Sequence, residues 1–153
     1  MVKRISLKTI RKSRKSKKLQ IKYEFYNNIN KINIKKYKKL EKELKKCFTE
    51  KTILANLKTN IIINKKNNEI ISFLQYDKEN IIWNLCTSEK YRKKGYATKL
   101  LKKTINKLCK NNKYLYLYVN KNKNYNNLLN YYKKLKFKEV KYENDKTLLM
   151  YEC

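Results

Sequence analysis

One glycine, Gly95, occurs in the 153-residue chain, and its neighbours have the types expected of an anion-binding loop. Segment 91–97 is Tyr-Arg-Lys-Lys-Gly-Tyr-Ala; it follows an apolar run and precedes leucines at helical spacing. A glycine lets the backbone approach a ligand closely, because it has no Cβ. The free N–H groups of a helix's first turn point at an anion, and the helix dipole favours negative charge there. The segment therefore predicts a pyrophosphate-binding loop at the start of a helix.

The composition around this glycine makes its position more informative. The chain has no proline and only two alanines, whereas Lys, Asn, Ile and Tyr are in large excess. These favoured residues all have codons made of A and T alone, which indicates an AT-rich genome. A glycine that persists against such a bias is expected to serve a backbone conformation or a close backbone contact.

The types of side chain that are absent or scattered restrict the chemistry. The sequence contains no histidine, so any acid–base step must use Glu, Asp, Tyr, Cys or water. The four cysteines have no paired spacing of the metal-binding kind, and we expect no metal site. They are interpreted as buried free thiols in a reducing compartment. These cysteines are Cys47, Cys86, Cys109 and Cys153.

Length and charge set the class of protein. The chain is long enough for one domain with a real core, and 41 % hydrophobic residues argue against disorder. Its net charge of +29 would attract polyanions, so nucleic acid is a secondary candidate partner, although the AT-rich bias explains most of the lysine excess. No apolar stretch approaches the length of a membrane span and no signal-peptide core is present, which predicts a cytoplasmic protein without membrane association.

The first half of the chain shows a mixed pattern of elements. Segment 5–10 fits a short strand, the basic run 11–18 fits a solvated loop or helix start, and 19–26 fits either a strand or a helix. Segment 34–48 has apolar residues at helical spacing and predicts an amphipathic helix. Three Ile-rich runs then alternate with polar turns and predict an antiparallel meander; they are 60–64, 69–77 and 80–87.

The second half predicts a helix, a strand, a helix and a hairpin. Apolar residues from Ala97 to Leu108 lie on one helical face, and 114–119 alternates between Leu or Val and Tyr. A shorter helix follows around Leu128 to Leu135, and 140–142 with 147–151 closes the chain as a hairpin. The complete order predicts a mixed α/β sheet with helices on its faces.

The loop in this context resembles the GNAT superfamily of acetyl-coenzyme A-dependent N-acetyltransferases. That family has an Arg/Gln-x-x-Gly-x-Gly/Ala loop between a strand and a helix, and a later helix that ends in Tyr-x-x-x-Gly-Phe. The chain matches the first motif at Arg92 to Ala97 and the second at Tyr132 to Phe137. The resemblance covers 69–153 well and the N-terminal half only in the order of its elements. It implies one domain over 1–153, with a partly flexible 1–18, and a mostly antiparallel twisted sheet of six to seven strands with helices on both faces.

The resemblance also implies a position for acetyl-CoA. Pantetheine would insert between strands 80–87 and 114–119, the fourth and fifth of the fold, and hydrogen-bond along the former. The residues that would contact this part of the cofactor are Leu85, Cys86 and Thr87. The pyrophosphate would lie on the backbone of the loop and the helix start, with added charge from Arg92; these residues are Arg92, Lys93, Lys94, Gly95, Tyr96, Ala97 and Thr98.

Tyr132 stands where the family places its general acid, and its neighbour Tyr131 is the alternative. A phenol with a pKa of about 10 keeps its proton near neutral pH and can donate it to a thiolate leaving group. No general base is evident, because the strand positions that often carry Glu in the family are Asn84 and Tyr118 here. Glu79 and Glu89 fall in nearby turns, and a base acting through water, or none, stays open.

One departure from the family pattern affects the end of the later helix. Lys136 replaces the usual glycine before the final Phe137, which is expected to strain or reshape that turn.

The implied reaction is acetyl transfer from acetyl-CoA to a primary amine by direct attack in a ternary complex. A peptide or protein N-terminus is the favoured acceptor, because an α-amine has a pKa of about 7.7–8.0 whereas a lysine has one of about 10.4. A basic nucleic-acid-binding module and an acyl-CoA-binding protein without turnover, both on the same fold, are the alternatives.

Overall fold

The computed structural model describes residues 19–27, 42 and 57–153, and these residues form a single sheet with two helices. The strands are β1 (Ile21–Tyr26), β2 (Lys58–Asn64), β3 (Glu69–Tyr76), β4 (Ile81–Thr87), β5 (Tyr114–Asn120), β6 (Lys138–Tyr142) and β7 (Lys146–Glu152). The helices are α1 (Tyr96–Leu108) and α2 (Tyr125–Lys134), and a short 3-10 helix spans Glu89–Tyr91. The segments 1–18, 5–10 and 34–48 discussed above lie outside the described residues, except that Lys42 is helical.

The sheet has seven strands in the order β1-β2-β3-β4-β5-β7-β6 within the described residues, and every neighbouring pair except β4–β5 is antiparallel. This confirms the predicted fold class, a mixed and mostly antiparallel α/β sheet. The ambiguous segment 19–26 forms a strand, which pairs along β2 from Ile21 opposite Asn64.

The predicted meander is present as β2, β3 and β4, and one irregularity in it concerns the site. Gln75 pairs with Asn84, but the next residue, Tyr76, pairs with Ile82, so that Trp83 is left over as a bulge. A bulge redirects a side chain at the edge of a pairing. Trp83 is accordingly 44 % exposed on a strand whose two neighbouring side chains are far less exposed.

Strands β4 and β5 run parallel and touch at one end only. Their register contains two pairs, Ile81 with Tyr116 and Ile82 with Leu117. Beyond these pairs β4 continues to Thr87 and β5 to Asn120 without pairing to each other. The sheet therefore opens into a gap between the carboxyl ends of the two strands.

Helices α1 and α2 cover one face of the sheet. The buried face of α1 carries the leucines and isoleucine predicted from its periodicity, and burial of each such side chain stabilises the fold by about 1.5–3 kcal/mol. On β5 the side chains alternate, so Leu115, Leu117 and Val119 join this core while the tyrosines between them point to the other face. The core side chains of α1 are Leu100, Leu101, Ile105 and Leu108, and α2 contributes Leu129.

The interpretation of the cysteines as free thiols is wrong for the described residues. Cys109, just after α1, is disulfide-bonded to Cys153 at the end of the chain, and Cys86 is disulfide-bonded as well. Cys153 reaches Cys109 because β7 pairs antiparallel with β5, and the Cys153 N–H donates to the Lys113 carbonyl beside the start of β5. The two cysteines are separated by 44 residues, and sequence spacing alone gave no sign of this tertiary pairing.

Within the described residues, no helix has the length and apolarity that a membrane span requires.

Candidate active site

Gly95 caps the N-terminus of α1 in a conformation that favours glycine. Its φ is +77°, in the left-handed region that residues with a Cβ adopt only at a cost. A Cβ placed on Gly95 would meet no atom within 4 Å, so the space beside it is open. The structure thus gives the lone glycine a conformational role, and the predicted close approach of a ligand would use the open space beside it.

The first turn of α1 presents uncapped backbone amides. The first helical hydrogen bond runs from the Lys99 N–H to the Gly95 carbonyl, at 3.0 Å, so the preceding amides have no acceptor inside the helix. Gly95 offers no side chain, and no side-chain cap is formed. The N–H groups of Gly95, Tyr96, Ala97 and Thr98 therefore form a cluster of donors with partial positive charge.

Tyr91 holds the loop against the sheet, a role that the sequence did not indicate. Its side chain is 8 % exposed, and its hydroxyl donates to Glu69 at 2.8 Å and accepts from the Asn64 amide at 3.2 Å. Its ring meets Tyr96 edge to face with 6.1 Å between the centroids. Both hydrogen-bond partners lie more than 20 residues earlier in the chain, so no local pattern could reveal the contact.

Three basic side chains of the loop are fixed by contacts on the protein side. Lys90 lies 2.5 Å from the Glu69 carboxylate, which lowers the pKa of Glu69 and raises that of Lys90. Arg92 Nε donates to the carbonyl of Thr87 at 3.1 Å, and Lys94 Nζ donates to the carbonyl of Lys90 at 2.9 Å. Arg92 thereby joins the loop to the last residue of β4.

The predicted contact residues of β4 lie along the gap described above. Leu85 is partly buried against the core, and the Ser72 hydroxyl on β3 donates to the Cys86 carbonyl at 2.7 Å. The same hydroxyl lies 3.0 Å from the Thr87 hydroxyl. Ser72 was not singled out from the sequence, and it fixes the end of β4 from the side opposite to β5.

Helix α2 brings both candidate tyrosines to the same side of the sheet as the loop. The Tyr131 and Thr98 hydroxyls share a hydrogen bond of 3.2 Å, so α2 contacts the first turn of α1 directly. The Tyr132 ring packs edge to face on Tyr131 and on Phe137, with centroids 5.0 and 5.7 Å apart. Its hydroxyl has no hydrogen-bond partner within the described residues, and burial raises its pKa, which keeps the phenol protonated.

The turn after α2 is a Schellman motif built around a lysine. The Phe137 N–H donates to the Tyr132 carbonyl at 3.1 Å, and the Lys136 N–H donates to the Lys133 carbonyl at 2.9 Å. Lys136 has a φ of +72°, where glycine is the usual residue. The expected strain at this position is therefore present, and the helix still ends as the motif requires.

The two strand positions that often carry a general base in the family, Asn84 and Tyr118, have no carboxylate. Asn84 is buried and donates to Gln75 at 2.9 Å, and Tyr118 lies on the face of β5 that points away from the two helices. Glu79 and Glu89 are exposed, as expected for turn residues.

An aromatic surface lies on the opposite face of the sheet, beside the gap. The rings of Trp83 on β4 and Tyr118 on β5 have centroids 6.1 Å apart. Trp83 donates to the Asp77 carboxylate at 2.7 Å, and Lys146 Nζ lies 4.5 Å from the Tyr118 ring centroid. The gap thus has the amide cluster and two tyrosines on one face and this aromatic pair on the other.

Comparison with known proteins identifies the family. Residues 28–149 match the family described as acetyltransferase (GNAT) domain. The chain belongs to the GNAT acetyltransferases. As a member of this family it is an acyltransferase, and acetyl-CoA is its co-substrate. No curated protein matches the chain.

Solved GNAT structures share the fold at low identity. The structure of Arabidopsis thaliana NAA60 with a bisubstrate analogue has a TM-score of 0.65 and 18 % identity, over 86 % of this chain and 99 % of that one. The structure of the NatC complex bound to Gag peptide and CoA has a TM-score of 0.68 and 20 % identity, over 88 % of this chain and 99 % of that one. The structure of Arabidopsis thaliana Naa50 with the bisubstrate analogue CoA-Ac-MVNAL has a TM-score of 0.64 and 16 % identity, over 86 % of this chain and 99 % of that one.

Proposed function

We propose that this GNAT protein transfers the acetyl group of acetyl-CoA to the α-amine of a peptide or protein, by direct attack in a ternary complex. The observation that carries the proposal is the uncapped start of α1 at Gly95, placed beside the open gap between β4 and β5. Donors for a pyrophosphate and a slot for an extended chain therefore lie next to each other, joined by the contact of Arg92 with Thr87.

The residues present fit acetyl-CoA on three counts. The amides from Gly95 to Thr98 are free to donate to phosphate oxygens, and the space beside Gly95 is open. Leu85, Cys86 and Thr87 border the gap on a stretch of β4 that does not pair with β5. The thioester supplies an activated acyl carbon when the co-substrate is bound.

Tyr132 is the proposed general acid. The amine nitrogen attacks the acetyl carbon, the carbon–sulfur bond breaks, and the sulfur leaves as a thiolate that takes the phenol proton. The attacking amine loses its own proton to water, and the phenolate regains one from water. A raised pKa suits this role, because it keeps the proton on the phenol until the thiolate forms.

The acceptor would approach from the face that carries Trp83 and Tyr118. The aromatic pair borders the gap on the face of the sheet opposite to α1 and α2. An exposed Trp83 ring and a partly exposed Tyr118 ring suit the apolar side chain and peptide planes of an N-terminal residue. A peptide acceptor is supported by the NatC complex, which was solved with Gag peptide and CoA, and by Naa50, which was solved with the bisubstrate analogue CoA-Ac-MVNAL.

The lack of a carboxylate at the strand positions Asn84 and Tyr118 also favours an α-amine. An attacking amine must be neutral, and at neutral pH an α-amine with a pKa of about 7.7–8.0 is far more often neutral than a lysine with one of about 10.4. The strongly positive protein also disfavours polycationic acceptors.

Paired peptides test the acceptor. One lysine-containing peptide is offered with a free N-terminus and with a blocked one, and CoA release and peptide mass are measured. A third peptide with a free N-terminus and no lysine serves as the matched control. We expect acetylation of the free and the lysine-free peptides but not of the blocked one. Equal acetylation of the free and blocked peptides would assign the reaction to the lysine side chain and overturn the α-amine proposal.

A further inference from the structure

We propose that the exposed face of α1, together with strand β1, binds single-stranded nucleic acid. The binding surface, called here the α1–β1 surface, consists of lysines from the helix and aromatic rings from the strand. Its members are Lys102, Lys103, Lys107, Tyr23 and Phe25. The proposal is independent of the acetyl transfer argued above, since none of these residues belongs to the cofactor loop.

None of the lysines of α1 has an acidic partner among the described residues. Helix α1 contains Lys99, Lys102, Lys103 and Lys107 and no Asp or Glu. Within the described residues, the ion pairs involve other lysines, on β1, β6, β7, α2 and the 3-10 helix. The positive charge along this helix is therefore not neutralised by neighbouring carboxylates and can act on an external polyanion.

Aromatic rings of β1 lie directly beside two of these lysines, Lys103 and Lys107. Lys103 Nζ is 3.8 Å from the ring centroid of Tyr23, and Lys107 Nζ is 4.4 Å from that of Phe25. Phe25 is 42 % exposed although it is a large apolar side chain at the edge of the described sheet. A lysine can cover only one part of such a ring, so accessible ring surface remains.

This combination fits a single strand better than a duplex or a generic polyanion. Single-stranded nucleic acid binds to surfaces on which cations track the phosphates and aromatic rings stack with unpaired bases. An acidic protein surface could pair its carboxylates with the lysines, but it has no bases to stack on the exposed ring of Phe25. The rings of Tyr23 and Phe25 on β1 lie beside the ammonium groups of Lys103 and Lys107 on α1. A segment of a few nucleotides could therefore make both phosphate and base contacts here.

The charge contribution is tested with two triple variants that lose the same charge. Lys102, Lys103 and Lys107 are changed to Gln on the α1–β1 surface, and the matched control changes Lys65, Lys66 and Lys78, which are exposed in turns, to Gln. Gln keeps a helix propensity close to that of Lys, so folding is preserved. Binding of labelled RNA and DNA oligomers of about 12 nucleotides and identical sequence is measured by fluorescence anisotropy.

The surface variant should weaken binding and make the dependence of log K on log salt shallower by about 2, since a single strand contributes roughly 0.7 per neutralised phosphate. The control variant should leave the slope close to that of the wild type. Equal loss in both variants would mean that net charge alone drives binding, and the surface would be rejected. Unequal binding of RNA and DNA identifies which one is preferred.

The aromatic contribution is tested with Phe25→Leu, which keeps an apolar side chain but removes the ring. We expect binding of the oligomer to weaken by about fivefold or more, in line with base stacking. Binding of heparin, which has charge but no bases, should not change. An unchanged affinity for the oligomer would overturn the assignment to a base-stacking surface, and thermal unfolding of all variants checks that the fold is intact.

Discussion

The Tyr131 hydroxyl lies 3.2 Å from the Thr98 hydroxyl, so helix α2 is hydrogen-bonded to the first turn of helix α1. The next residue, Tyr132, has no such partner among the described residues and only ring contacts. Two adjacent tyrosines thus have different surroundings, one engaged at the candidate phosphate site and the other with a free hydroxyl. This difference separates their expected contributions to the reaction.

Tyr132→Phe keeps the ring packing and removes only the proton donor. General acid catalysis contributes typically about 10²–10⁴-fold, so we expect kcat to fall by that order while the affinity for acetyl-CoA changes little. Tyr131→Phe is the matched control and should instead raise KM for acetyl-CoA, because it loosens the start of α1. Steady-state kinetics with both substrates varied distinguish the two. An unchanged kcat in Tyr132→Phe would leave Tyr132 as a packing residue.

The pH dependence of the reaction follows from the direction of the Tyr132 shift. Burial raises the pKa of this phenol, so it stays protonated beyond its ordinary value of about 10. The rate constant kcat/KM should therefore rise with the deprotonation of the amine near pH 8 and show no fall caused by Tyr132 below about pH 10. A pH profile of the wild type and Tyr132→Phe checks this. A falling limb below pH 10 that is missing from the variant would contradict it.

Gly95 permits a pair of substitutions that separates backbone strain from ligand binding. Gly95→Ala should lower the stability by about 1–2 kcal/mol, because alanine is strained at a φ of +77°. Gly95→Glu has the same backbone cost and adds a negative charge beside the free amides. We expect the Glu variant to lose acetyl-CoA binding far beyond the Ala variant, as measured by calorimetry alongside thermal unfolding. Equal affinity in a folded Glu variant would remove the loop from the binding site.

Features encoded within a short segment were predicted correctly. Gly95 and the apolar periodicity after it indicated the start of α1, and alternation of side chains indicated β5. Lys136 was expected to strain its turn because the family has glycine there, and its φ of +72° bears this out. In each case a few consecutive residues carry the physical cause.

Contacts between residues that are far apart in the sequence could not be predicted. The hydroxyl of Tyr91 meets Glu69 across 22 residues, and Cys109 meets Cys153 across 44. The exposure of Trp83 depends on a shift of register between two strands, which no pattern within β4 encodes. These contacts exist only after the sheet has brought its strands together.

Lys136→Gly should stabilise the protein. Relief of the left-handed strain contributes about 1 kcal/mol, even though glycine gains entropy in the unfolded chain. Lys134→Gly, two residues earlier in the last turn of α2, is the control and should destabilise, because glycine is a poor helix former. Thermal unfolding of both variants is the measurement. A lower melting temperature for Lys136→Gly would show that the lysine side chain has an unrecognised stabilising contact.

The two residue pairs that join β4 to β5 divide the sheet into unequal halves, four strands on one side and three on the other. Inside the sheet a neighbouring strand protects the backbone amides from solvent exchange, but the β4 amides beyond Ile82 that point toward β5 have no strand partner, and a bound molecule would protect them. Hydrogen–deuterium exchange at β4 beyond Ile82 therefore reports directly on occupancy. Protection of these amides thus reports whether the gap is filled, without an activity assay.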